Sequence, residues 1–473
     1  MLHHAPVPSL RSIRSAVRLV LISAVLALPL QAASVAAQTA APPAEAPPPV
    51  HLAFWFDQAA QAFNEDRLDD WVAATERLHE LRPHNQDFMR HLVLGYAQQN
   101  RLSNAFNIML NMQQQGLAED WDQFDELEPL RAHRLYEHLS DLMRQAGQPF
   151  GRFEHKVELP ADLVLPEAIA LDAAGQRLFV GSLGDGRILV RVNDEDWEVF
   201  AEPDNTEGLM GVFDLSVDEQ RGHLWVATAN VTQFSGHDPA AASTALLKLD
   251  LETAEVLGRY GIPGARRSHV LGSLVVAGDG TVYTADTATP LIFRLAPGAE
   301  HLELFFGSQN FSSLRGLALS GDDRLLYVAD NEQGIFIVAT GASRQAWQLA
   351  VPPSLNVGGI DGLYWWDQHL IVIQNGVSPQ RVMRLQLGAD GLGVTAVAPV
   401  LAALEIFDTP TFGVMQGDQL HLFSGSHWPH VDQRGRPLGE ELPRVSILTT
   451  DVDATEIMMV GEEALRQLQQ QRR

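Results

Sequence analysis

The 473-residue chain contains no cysteine. That removes disulfides, thiolate metal sites, cysteine nucleophiles and a lipid-modified N-terminal cysteine. Lysine is almost as scarce. Lys156 and Lys248 stand alone, neither in a GxxxxGK loop, so a P-loop is excluded. Positive charge is outweighed, with 33 Lys and Arg against 59 Asp and Glu and a net charge of −26. A nucleic-acid partner held by bulk electrostatics needs the opposite sign, so none is expected. The HExxH, GxSxG and GxGxxG patterns are missing as well. After residue 37 no run reaches the roughly 18 apolar residues of a membrane span, so the mature chain should have none. What is present is a globular composition, 46% hydrophobic and 19% charged.

Arg11, Arg14 and Arg18 precede an apolar run from Leu19 to Leu30, and Val35-Ala36-Ala37 offers small residues before Gln38. This layout predicts a cleaved signal peptide over residues 1–37, hence a periplasmic or secreted protein. The apolar run would rise only about 18 Å as a helix, too short to anchor in a membrane. An exported protein without cysteine fits a bacterial periplasm. Residues 38–50, rich in Ala and Pro, read as an extended linker, and residues 456–473 as a polar C-terminal helix or tail.

Residues 51–149 carry apolar residues at helical spacing. Phe54, Trp55, Ala59, Ala62 and Phe63 line one face; Trp71, Ala74, Thr75, Leu78 and Leu81 line another. A second pair of helices spans 87–100 and 103–115, and the pairs repeat at 34 residues. Asp122 to Gly147, interrupted by Pro129, adds further helices as a cap. The segment resembles the tetratricopeptide family at Trp55, Ala59, Leu78, Pro83, Tyr96 and Ala105, with Trp71 where that family prefers a small residue. The resemblance implies a concave face for a protein or peptide partner.

From 150 to 455 the period becomes that of short strands. First strands centre on Ile169, Leu215, Leu274, Leu317, Leu363 and Phe412, and apolar second strands such as Leu178-Phe179-Val180 follow turns carrying Asp or Gly, Asp172/Gly175 among them. Six such units predict an all-β six-bladed β-propeller behind a short all-α helical repeat, a multidomain chain. The strand from Phe153 to Leu159 should close the sixth sheet beside Val445 to Leu448. Glu167-Ala168-Ile169-Ala170-Leu171-Asp172, Leu326-Tyr327-Val328-Ala329-Asp330-Asn331 and Asp361-Gly362-Leu363 resemble blades of the gluconolactonase/regucalcin family. Val275 to Asp286 is more similar to an NHL repeat.

Aligning the six inner strands places Glu167, Phe213, Gly272, Arg315, Asp361 and Pro410 at the tunnel entrance. The resemblance implies one divalent cation there, calcium for instance, held by residues matching Glu167 and Asp361. Arg315, however, stands where that family has an Asn, and Phe213 where another Asn is usual. Arginine supplies no oxygen, but its guanidinium can join two carboxylates. Two readings stand. In one, Glu167, Arg315 and Asp361 form an ion cluster in the metal's place and no cofactor is bound. In the other, a cation is retained by Glu167 and Asp361, with Asp214 or loop asparagines completing its shell. Further candidates on the same face are His269, Asn331, Asn375, His427 and His430, the last two flanking Trp428-Pro429. The leading expectation is a binding or scaffold protein, its helical face for a partner and its propeller for a small ligand. The alternative is a metal-dependent lactone or ester hydrolase of the gluconolactonase/regucalcin type. Catalysis without metal on the same face also stays open.

Overall fold

A computed structural model describes residues 42–43, 47–174, 176–192, 196–241, 243–264 and 269–453. The signal peptide expected over 1–37, most of the expected linker, Gly175 and the tail from 456 lie outside the described residues. No described helix is long and apolar enough to cross a membrane.

Two compact units divide the chain. The first holds helices α1 (Pro48–Asn64), α2 (Leu68–Leu81), α3 (Gln86–Gln98), α4 (Leu102–Gln114), α5 (Glu128–Arg131) and α6 (Arg134–Ala146). Leu68 and Leu102, which open α2 and α4, are 34 positions apart, as the period requires. Their core is built by Phe63, Trp71, Leu78, Leu92, Met109 and Trp121. Two expectations need correction. The linker does not run to residue 50, because Pro48 opens α1, where a fixed φ costs nothing and no N–H is needed. Pro129 does not interrupt a helix but stands in the first turn of α5, after two short 3₁₀ turns. This unit also includes two segments from later in the chain, Pro352–Gly358 and Val377–Pro379. They are held by buried amides. Asn356 Nδ2 donates to the His84 carbonyl and to Gln115 Oε1, and Gln86 Oε1 accepts from the Ser378 N–H.

The second unit is a six-bladed propeller. Its sheets are β2 (Pro166–Asp172) to β5 (Glu198–Ala201), β6 (Gly211–Asp218) to β9 (Val256–Tyr260), β10 (Leu271–Val276) to β13 (Glu303–Gly307), β14 (Leu314–Leu319) to β17 (Ala346–Gln348), β18 (Ile360–Trp366) to β21 (Val394–Ala402), and a composite sheet. The composite sheet runs β1 (Glu154–Glu158), β24 (Ser446–Asp451), β23 (Gln419–Phe423), β22 (Gly413–Gln416). Thus Glu154 pairs with Thr449, and the first strand closes the last blade as expected. Second strands are buried on both faces, which is why they read as unbroken apolar runs. Their side chains fill the seams between blades, as Phe179 and Val226 do between the first two, joined there by Leu247 of the third strand β8 (Thr244–Asp250).

Candidate functional site

The inner strands β2, β6, β10, β14, β18 and β22 are neighbours in sequence, with β22 beside β2, and so ring the central tunnel. In five of them the pairing to the second strand skips at the same place. The skipped residues are Glu167, Phe213, Gly272, Arg315 with Gly316, and Asp361. These are the residues that the strand alignment puts at the entrance. A bulge leaves a residue out of the ladder and re-aims its side chain, and it commonly does so beside functional sites. The sixth position differs. β22 begins only at Gly413, and Pro410 contributes a carbonyl instead.

Asp361 is the hub. Its Oδ1 accepts from Asn331 Nδ2 at 2.9 Å and its Oδ2 from Asn375 Nδ2 at 2.6 Å. Asn375 Nδ2 also reaches the Pro410 carbonyl, at 3.0 Å. The two asparagines follow the second strands of adjacent blades, and Gly359 joins them: its N–H donates to the Asn331 carbonyl, and its own carbonyl accepts from the Asn375 N–H. Gly359 adopts φ 68°, and a Cβ there would stand 2.5 Å from the Gly376 Cα, so only glycine fits. Arg315 brings its Nε to 3.6 Å from Asp361 Oδ1, an ion pair without a hydrogen bond. Gly316 lets this strand approach, because a Cβ there would meet the Leu363 nitrogen at 2.7 Å.

Glu167 is 5% exposed, and its Oε1 has no hydrogen-bond partner. Burial pushes its pKa up to about 8, and nearby Asp361 adds to this, while the side chains of Trp428 and Ser426 and the charge of Arg315 pull it down. Burial therefore favours the protonated form of Glu167. Among the described residues no ion pair joins it to Arg315, so the three-residue cluster forms only in its Arg315–Asp361 half. Leu165, two positions earlier, is held at φ 53°, a conformation leucine rarely adopts.

The remaining candidates divide. Asn331 and Asn375 belong to the site. Asp214 binds the seam between blades 2 and 3, accepting from the Leu215 and Leu274 N–H groups at 2.8 and 2.7 Å. Enclosure by protein pushes it up to about 7, against those two hydrogen bonds. His427 is a strut rather than a reagent. Its Nδ1 accepts from the Leu165 N–H at 3.1 Å and its Nε2 donates to the Pro443 carbonyl at 2.9 Å, so both nitrogens are used. Burial lowers its pKa, which suits this neutral tautomer. His269 is likewise buried, with Nδ1 on Asp286 Oδ2 at 2.5 Å, and His430 pairs with Asp408 at 2.8 Å. The residue that sequence reasoning missed is Thr411, 4% exposed with an unpartnered Oγ1. Its carbonyl lies 3.0 Å from where a Gly362 Cβ would stand, beside Asp361. Its place just before β22 was the one signal for it.

A calcium-type cation fits this donor set poorly. Such an ion takes roughly six to eight oxygen donors. Here a guanidinium stands 3.6 Å from Asp361, and each Asp361 oxygen already accepts from an asparagine NH₂. Among the described residues no three His, Asp or Glu side chains gather as a metal-binding group.

No known protein family and no curated protein matches the chain by sequence. Solved structures similar to it include a gluconolactonase from Xanthomonas campestris (15% identity over 63% of this chain and 98% of that one, TM-score 0.41). A calcium-binding regucalcin from Agrobacterium tumefaciens (14%, 64% and 97%, 0.44) and a luciferin-regenerating enzyme (15%, 65% and 96%, 0.46) are similar too. At these identities the likeness concerns the fold alone.

Proposed function

We propose that the tunnel mouth is a hydrolytic site for a lactone or ester that works without a bound metal. One observation carries this reading. Three buried polar atoms from three blades, Glu167 Oε1, Arg315 Nε and Thr411 Oγ1, have no hydrogen-bond partner; Arg315 and Glu167 are close enough to Asp361 to feel its charge, and the Thr411 carbonyl faces the neighbouring Gly362. Buried polar groups are almost always satisfied, so such a set calls for a polar ligand. The chemistry of the groups suits acyl transfer to water. Arg315 offers positive charge to the carbonyl oxygen as it gains negative charge. Water adds its oxygen to the acyl carbon and gives one proton to Asp361. The acyl C–O bond breaks, and Glu167 gives its proton to the departing oxygen. Proton return from Asp361 to Glu167 restores the site.

The test is a pH-stat assay on a panel of lactones and aryl esters, in chelator and in calcium. Turnover should persist in chelator and fall about 10²- to 10⁴-fold in Glu167→Gln. No turnover under any condition overturns the hydrolase reading. Turnover that chelator abolishes and calcium restores overturns its metal-free form.

A further inference from the structure

The tunnel mouth has two chemically different sides. Blades 4 and 5 supply Arg315, Asp361, Asn331 and Asn375, all polar. On the opposite side stand Phe213, the bulged residue of β6, and Trp428, in the loop after β23. Both are half-buried and both pack on the cluster of Leu165, Leu183 and Val431. Trp428 is close enough to Glu167 to affect its proton affinity.

This apolar side is built rather than incidental. The Trp428 backbone N–H donates to Ser426 Oγ at 3.2 Å, which fixes the main chain there, and the preceding His427 ties the loop to Leu165 and Pro443. The loop also meets the long connection of blade 2. Thr232 Oγ1 and Gln233 Nε2 both donate to the Gln433 carbonyl, at 3.1 and 3.0 Å. Loops of blades 6 and 2 are thus tied together, with Trp428 beside the buried carboxyl and Phe213 packed on the same apolar cluster. Aromatic faces held rigid at a polar reaction centre favour a hydrocarbon group, because its burial there costs no reorganisation.

Resting on the hydrolase reading above, we infer that the substrate is amphipathic: a lactone or ester whose reacting carbonyl faces Arg315 and whose hydrocarbon arm lies over Phe213 and Trp428. A polyhydroxylated lactone would leave its hydroxyls unpaired against these rings and is disfavoured.

The experiment is a series of γ-lactones with side arms from methyl to heptyl, assayed by pH-stat for kcat/KM. The expected result is a rise of about threefold to fourfold per methylene along the series. In Phe213→Asn and in Trp428→Ala the ratio of heptyl to methyl should fall at least tenfold. Circular dichroism and melting curves establish that each variant is folded, and Trp428→Phe should recover most of the ratio. The same series is run as a thermal-shift titration of the wild type and Phe213→Asn. If no lactone is hydrolysed but stabilisation still grows with arm length and is lost in Phe213→Asn, the arm site stands and the hydrolase reading fails. A flat series in both readouts overturns the inference, as does an arm-length dependence that both variants leave unchanged.

Discussion

Replacing Glu167 by Gln should stabilise the propeller at alkaline pH. Glutamine keeps the shape and the neutral state of the buried acid but cannot ionise. In the wild type, folding raises this carboxyl from its ordinary 4.5 to about 8. A raised acid binds its proton more tightly when folded. Its stabilising contribution is therefore complete below about pH 4.5 and is lost as pH climbs through the folded value near 8. At about 1.4 kcal/mol per pH unit, the whole loss is on the order of 4 to 5 kcal/mol. Urea unfolding of both proteins at pH 5, 6, 7, 8 and 9 isolates it as a difference. Asp214, pushed up to about 7, imposes a slope of the same sign, but it is present in both proteins and cancels. At pH 5 the two proteins should match closely, and by pH 9 Glu167→Gln should be the more stable by several kcal/mol. A difference that does not vary with pH, or that grows toward acid, would refute the claim that burial of Glu167 outweighs the groups that favour its charge.

Three further outcomes are expected. The melting temperature of the wild type should not respond to calcium, whereas Arg315→Asn, which removes the guanidinium and adds an oxygen donor, should be stabilised by it through binding to the folded state; equal calcium shifts in both proteins would mean that Arg315 does not stand in for the ion. His427→Ala strands the buried Leu165 N–H and should cost on the order of 1 to 3 kcal/mol in urea unfolding, and an unchanged midpoint would contradict the strut role. A chain beginning at Pro160 lacks β1 and leaves β24 as an open edge, so its propeller should aggregate or unfold without a sharp transition, unlike one that begins at Pro149; superimposable melting curves would count against the closure.

Much of this architecture is readable in the residues. Second strands such as Leu326-Tyr327-Val328 are apolar at consecutive positions because they are buried on both faces, and the recurrence of that pattern counts the blades. Glu167, Arg315 and Asp361 could be placed at one tunnel end because inner strands share a direction. Long-range hydrogen-bond bookkeeping is another matter. His427 looks reactive in a polar, aromatic loop, yet its ring is consumed by Leu165 and Pro443, 262 and 16 positions away. Thr411 looks like any threonine beside a proline, and its importance comes from what fails to reach it. Nor does local pattern reveal that Asn356, in a loop between blades, is an internal amide of the helical unit.

The pairing of Glu154 with Thr449 also sets the order in which this protein can fold. Closing a loop of nearly 300 residues costs about 3 kcal/mol more in chain entropy than closing a ten-residue hairpin. At roughly 5 to 20 residues per second, β1 leaves the ribosome some 15 to 60 s before its partner strand exists. Throughout that wait every other blade can be complete while β24's place beside β1 is unfilled. A β1 strand from a neighbouring nascent copy fits the same edge with the same register. Crowded synthesis therefore opens a route to an exchanged dimer beside the closed ring, and because β1 is an edge strand that exchange would leave every other sheet intact.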